Sequence, residues 1–331
     1  MRMPLAENQD AFALFALWDI IDKEKELGHD ALLCGLCIMV SVSSGISKGG
    51  SMAGPRIDVD LTFKPVDNQS PKQLSREQID QYNELGYVHP FPVFNEVEVV
   101  RNRAYLEYLL AEMKTHNDGR DSYALNCYQG RCEGIYDLAR DPRILDLVED
   151  IIGPNIICWA THYFVKQPYD KKAVAWHQDA SYWPITPART VTAWIAIDDS
   201  SVENSAMQVV PRTHNMGHIA WKKTEKDAVL DQEIDIRSEW DDPVSLELKA
   251  GEISLHADMI VHGSEPNRSA KRRAGLTLRF CPPEVRPIDP SWAAQSILCR
   301  GEDPYGHWVD TPRPCGNHLS LKDKPKSIGG N

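Results

Sequence analysis

The side chains best suited to chemistry stand together at Trp176-His177-Gln178-Asp179. In an extended segment residues i and i+2 face the same way, so His177 and Asp179 can offer an imidazole nitrogen and a carboxylate oxygen to one point. That makes one edge of a metal site. A third ligand from a distant strand would complete a two-histidine, one-carboxylate face that leaves three positions open on Fe(II). Taken alone, His-x-Asp is more often a surface histidine beside an acidic turn.

Farther along come Ile260-Val261-His262-Gly263-Ser264 and then Arg273, at the head of an alternating segment. There Arg273, Gly275, Thr277 and Arg279 share one face, while Ala274, Leu276, Leu278 and Phe280 share the other. An arginine on a polar inner face suits a bidentate grip on a carboxylate, and Gly275 beside it leaves room for a bound molecule. Without the His-x-Asp, a strand with solvated arginines would be the better reading. His256 precedes His262 by six residues and would share its face on an unbroken strand. Ala257-Asp258 reads as a turn, so His256 is a substrate-side candidate or a solvated loop histidine.

The elements that must position these groups change character at Asn155. Before it, helix signals recur. Ser75 with Gln78 and Asn95 with Glu98 are capping boxes, Gly86 ends the first helix, and Asp141-Pro142 opens a third helix that Gly153-Pro154 stops. After it, eight β-type runs follow: 156–166, 173–178, 190–198, 207–211, 244–249, 252–256, 260–262 and 274–280. Short strands without intervening helices argue for a sandwich or barrel over a parallel α/β sheet.

The chain has 331 residues, 48 acidic against 36 basic, for a formal charge of −12. That balance disfavours nucleic acid or anionic membrane as the main partner. Eight cysteines are sparse for this length and read as reduced thiols of a cytoplasmic protein. Cys34-Gly-Leu-Cys37 lacks a second pair to make a zinc or redox site. The apolar run 31–42 falls short of the ~20 residues a membrane span needs, and acid-rich residues precede it where a signal peptide is basic. Residues 1–70 therefore read as an extension the fold does not need, with Met52 as an alternative start, 71–310 as one catalytic domain and 311–331 as a tail.

The stretch from about Arg143 to Arg273 resembles the phytanoyl-CoA dioxygenase family of Fe(II)/2-oxoglutarate oxygenases. The resemblance is carried by Gly153-Pro154-Asn155-Ile156, Lys166-Gln167-Pro168 and the segment from His177-Gln178-Asp179 to Pro187. Ala193-Trp194, Glu203-Asn204, His262-Gly263-Ser264 and Pro266-Asn267-Arg268-Ser269 continue it. It extends over roughly 74–310 and implies a mainly β fold with flanking helices (α+β), a double-stranded β-helix or cupin-like jelly roll. It also implies His177, Asp179 and His262 as Fe(II) ligands and Arg273 as the clamp for 2-oxoglutarate. His162, Gln178 and Trp194 fall on the co-substrate side, although a core tryptophan is an equal reading of Trp194.

The implied reaction uses O2, releases succinate and CO2, and hydroxylates a C–H bond of a small-molecule metabolite. Halogenating relatives lack the carboxylate that Asp179 supplies. Tyr182, Trp183, His256 and Arg279 are the substrate-side candidates, and the protein is expected to act as a monomer or homodimer. A cupin-type hydrolase or isomerase, or a non-catalytic binding jelly roll, are the alternatives. Two family glycines are replaced, by Ser205 in Asn204-Ser205-Ala206 and by Arg212 in Pro211-Arg212-Thr213-His214, which calls the geometry of those turns into question.

Overall fold

A computed structural model describes residues 59–323. Cys34, Cys37 and Met52 lie outside them. Helix α1 (Arg76–Leu85) starts on the predicted capping box: Ser75 Oγ accepts from the Gln78 amide at 3.2 Å while Gln78 Oε1 accepts from the Ser75 amide at 2.8 Å. Gly86, at φ +86°, ends it and leads into β1 (Tyr87–Pro92). Helix α2 (Glu96–Thr115) opens on the Asn95/Glu98 box, α3 (Glu133–Ala139) follows, and α4 (Pro142–Ile152) is capped by Asp141.

The strands are then β2 (Ile156–Lys166), β3 (Val174–His177), β4 (Ile185–Thr186), β5 (Val191–Ala196), β6 (Gln208–Val210), β7 (Lys222–Lys223) and β8 (Gln232–Glu233). They continue with β9 (Val244–Ser245), β10 (Glu252–Ala257), β11 (Val261–Ser264), β12 (Arg273–Cys281), β13 (Arg286–Pro287) and β14 (Ile297–Arg300). Two antiparallel sheets carry the fold, a major one ordered β1-β10-β5-β12-β2-β14 and a minor one ordered β3-β11-β6-β9. This is the expected jelly roll.

Alternation gives the major sheet two different faces. Val191, Ala193, Ile195, Ala274, Leu276, Leu278 and Phe280 join the helix residues Leu106, Leu109, Ile144 and Val148 in one core, so the helices cover the outer face. At roughly 25 cal/mol per Å2 of apolar surface removed from water, this core is the main stabilising term. The other face looks toward the minor sheet, where Trp194 packs with Met207, Val209 and Ile260. None of the described helices is long and apolar enough to cross a membrane.

The packing corrects the expected boundary at residue 70. Ala188 donates to the Asp60 carbonyl at 2.8 Å, Val66 and Asn83 exchange two hydrogen bonds, and Phe63 lies edge-on to the His214 ring. The Asp150 carboxylate then accepts from the amides of Lys72, Gln73 and Leu74. Residues 60–74 are thus a strap tied to the domain, because their backbone groups find partners on α1, α4 and the loop before β5. Residues 311–320 are likewise part of the domain: the Glu133 amide bonds to the Gly316 carbonyl, His318 bonds to Arg131, and Leu319 is buried in the main core.

Both turns that lost a family glycine keep left-handed backbone, with Ser205 at φ +72° and Arg212 at φ +67°. Asn204 holds the first turn by accepting from the Ser201 amide at 2.8 Å and donating to the Asp199 carbonyl at 2.7 Å. Arg212 reaches Glu84 and Asp241 from the second.

Candidate active site

His177 ends β3 and His262 lies on β11; the two are register partners in the minor sheet. Asp179 follows in a short 3-10 turn, so its carboxylate folds back beside them. One ligand atom from each of the three lies within 4.8 Å of the others, and all three residues are buried. His177 Nδ1 donates to the Ala175 carbonyl at 2.7 Å and His262 Nδ1 to the Ile260 carbonyl at 3.1 Å. These bonds fix the Nδ1–H tautomer and leave each Nε2 lone pair facing Asp179, at 3.4 and 3.9 Å.

The electrostatics fit a cation at this point. Burial, reinforced by the neighbouring His177, pushes His262 well below the usual imidazole range, so a proton is a poor counter-charge there. Burial would by itself raise Asp179. The Arg279 guanidinium is the strongest opposing influence, and the carboxyl is held ionised, below its usual range. Two bare nitrogens and one carboxylate, buried together, suit a divalent transition metal.

On the facing sheet, register turns sequence alternation into rows. Arg279 pairs with Thr192, which pairs with His256; Thr277 pairs with Trp194 and His162; Gly275 pairs with Ala196 and Phe164; Arg273 pairs with Lys166. The Arg279 row lies against the triad, with Nη2 4.0 Å from Asp179. The Arg273 row lies at the far end. Arg273 is 2% exposed and has no acidic ion-pair partner among the described residues. Its Nε donates to the Ser205 carbonyl at 3.2 Å and Nη2 to Ser264 Oγ at 3.1 Å. Burial lowers its pKa to about 10, which leaves it charged at neutral pH.

Gly275 is required where it stands, since a Cβ would come within 2.0 Å of the Trp194 indole, itself 5.7 Å from the Arg273 guanidinium. Lys166, fully buried, donates to the Lys172 and Glu265 carbonyls. Burial, then the Arg273 charge, pushes it down to about 7.

A cavity of about 310 Å3 joins the two ends; His162, Trp194, Tyr182, Trp183, His256 and Arg279 all face it. His162 is held by Nε2 on the Tyr123 carbonyl at 2.7 Å. The Tyr182 hydroxyl accepts from the Gln232 amide, and its ring meets His177 edge-on. His256 is buried on β10, not solvated, with its ring 5.1 Å from that of His262. Burial drops its pKa to about 4.

Gln178 departs from expectation. Strand parity turns it away from the cavity, and its amide is consumed by bonds to the Gly217 and Met259 carbonyls and from the Ile219 amide. Trp159 is a wall residue that alternation missed. A bulge opposite Arg279/Phe280 inserts one residue into β2 and re-aims the indole toward Trp183, 4.6 Å away. Trp292 comes from a distant 3-10 turn with no sequence signal. A larger recess of about 680 Å3 lies beneath the strap, but it contains none of the triad, and its Lys72 and Glu149 pair with each other.

A family profile described as "Phytanoyl-CoA dioxygenase (PhyH)" matches residues 82–275. The chain is 31% identical over 162 residues to a Stutzerimonas stutzeri protein named "Probable alpha-ketoglutarate-dependent hypophosphite dioxygenase", covering 47% of this chain and 56% of that one. It is 25% identical over 164 residues to the human peroxisomal phytanoyl-CoA dioxygenase, covering 47% and 48%. The chain spans about half the length of the curated relatives it matches. Among solved structures, a non-heme monooxygenase (ThoJ, apo) superposes with TM-score 0.63 at 23% identity, over 72% of this chain and 88% of that one. A non-heme alpha ketoglutarate dependent carbocyclase from nogalamycin biosynthesis gives 0.53 at 22%, over 75% and 95%. These structural likenesses show the fold.

Proposed function

The chain belongs to the phytanoyl-CoA dioxygenase family, and from that premise we propose that it is an Fe(II)- and 2-oxoglutarate-dependent dioxygenase. In this reading it hydroxylates an unactivated C–H bond of a small-molecule metabolite, with release of succinate and CO2. The observation that carries the proposal is the pairing of the His177/Asp179/His262 cluster with a buried, acid-free Arg273 at the other end of one cavity. A metal cluster alone would suit a cupin-type hydrolase; the distal arginine is what a dianionic co-substrate needs.

In this mechanism His177, Asp179 and His262 would hold the iron, which with 2-oxoglutarate and O2 would supply the oxidising power for hydrogen abstraction. The chain's own residues do the rest. Arg273 and Ser264 take the far carboxylate, and Trp194, lying against Gly275, walls that end. His162, anchored on the Tyr123 carbonyl, flanks the path between the two ends. Trp183, Tyr182 and Trp159 exclude water and shape the substrate end. Asp179 occupies the position that halogenating relatives leave open, which supports hydroxylation over halogenation. Six free cysteines among the described residues, five of them buried, support placement in the reducing cytoplasm.

The test is spectroscopic. Anaerobic Fe(II) plus 2-oxoglutarate should give a visible metal-to-ligand charge-transfer band that Arg273→Ala abolishes. Absence of the band in the wild type, together with no 2-oxoglutarate consumption, would refute the oxygenase reading and return the cupin hydrolase or binding-module alternatives.

A further inference from the structure

Next to the triad, the major sheet presents polar groups that the chain leaves unpartnered. Arg279 is 8% exposed, and its Nε is buried with no hydrogen-bond partner. Its contacts are ionic and aromatic: Asp179 at 4.0 Å, and the Trp183 ring 5.0 Å below the guanidinium. In the same row Thr192 Oγ1 and His256 Nδ1 are also buried without partners. Arg273, on the same face, spends two donors on protein oxygens. Buried donors are rarely left unpaired unless something outside the chain takes them.

Asp179 is an insufficient partner for Arg279. Its two oxygens also face His177 and His262, and at 4.0 Å it stands beyond hydrogen-bond distance of the guanidinium. Trp183 covers one face of the guanidinium, and Arg279 lines the cavity. The surrounding wall is aromatic, from Trp183, Trp159 and Trp292. The cavity volume sits at the small end of the ~300–1,000 Å3 usual for ligand pockets.

We infer that the primary substrate is a small organic anion of carboxylate type, its charged end received by Arg279 and its apolar body lying on the tryptophan wall. The inference rests on the oxygenase reading for what occupies the Arg273 end. Because the co-substrate also carries a carboxylate near the metal, the two sources of the same chemistry must be separated.

The experiment uses the full chain loaded with redox-inert Zn(II) and 2-oxoglutarate. Short n-alkanoates and phenylacetate are titrated against their matched primary amides, with tryptophan fluorescence and calorimetry as readouts. A charge-assisted pair should make at least one carboxylate bind roughly ten- to hundredfold more tightly than its amide. With Zn(II) at saturation, verified by calorimetry for each protein because Arg279 lies 4.0 Å from Asp179, Arg279→Gln should erase that preference. If no carboxylate outbinds its amide in the wild type, the inference falls, whether or not the variant folds. A loss of about tenfold or more in 2-oxoglutarate affinity in Arg279→Gln assigns the guanidinium to the co-substrate and also overturns it. Failure of the parent reading looks different: 2-oxoglutarate would not bind, or Arg273→Gln would not weaken it, while the acid–amide comparison stays readable.

Discussion

A methyl group added at Gly275 collides with the indole that walls the far end of the cavity. An ideal Cβ there lies 2.0 Å from Trp194 Cζ2 and 2.3 Å from Cε2, whereas carbon atoms rest ~3.5–4.0 Å apart. The indole must therefore shift by about 1.5 Å, and Trp194 is 3% exposed among Tyr87, Met207 and Val209. Gly275→Ala should cost about 1–3 kcal/mol, the usual range for overpacking. With an unfolding entropy near 2.1 cal/mol/K per residue over ~265 described residues, that lowers Tm by about 2–5 °C in calorimetry. Because the displaced ring faces the Arg273 guanidinium, 2-oxoglutarate affinity should fall with it. Trp194→Leu opens the space that the methyl needs, so the double variant should be more stable than the summed single effects by about 0.5–3 kcal/mol. A Gly275→Ala protein melting within about 1 °C of wild type, or strictly additive effects, would refute the steric account.

Other perturbations probe the supports. Gln178→Ala leaves two buried backbone groups and one half-buried one unpaired and should cost on the order of 3 kcal/mol in denaturant unfolding, since each buried orphan is worth about 1–3. Asp150→Ala removes the acceptor of three strap amides, so limited proteolysis should cut within 60–74 much faster than in wild type, with the triad's metal affinity retained. Lys166 tests pH linkage. Its pKa is about 7 folded against 10.5 unfolded, so between those values the unfolded chain binds more protons and wild-type stability rises with pH. The stability of Lys166→Met relative to wild type should therefore fall from pH 7 toward 10, by up to ~1.4 kcal/mol per pH unit; a flat difference would contradict a buried, deprotonating lysine.

Much of the site was legible because strand alternation is a local property. The same-face placement of Arg273, Gly275, Thr277 and Arg279, and the opposite faces of Trp194 and Val191, followed from parity and match the register. The same rule turned Gln178 from a co-substrate candidate into a clasp under the metal turn, and it failed at Trp159, where a bulge that depends on the partner strand breaks the alternation. Residues 60–70 were read as part of a dispensable extension; their order comes from partners on distant elements, Thr186, Asn83 and Asp150.

Residue types and spacing, by themselves, determined the His177/Asp179 edge, the arginine face, the helix caps and the mainly β class, because these rest on contacts within a few residues or on the period of a strand, whereas His262 as third ligand came from the family resemblance. Only the tertiary structure decided that His256 is buried beside His262, that Arg279 lies against Asp179 without a hydrogen bond, and that Gly275 makes room for Trp194. Those outcomes depend on which strands pair and how two sheets close on each other, and neither is a local property of the chain.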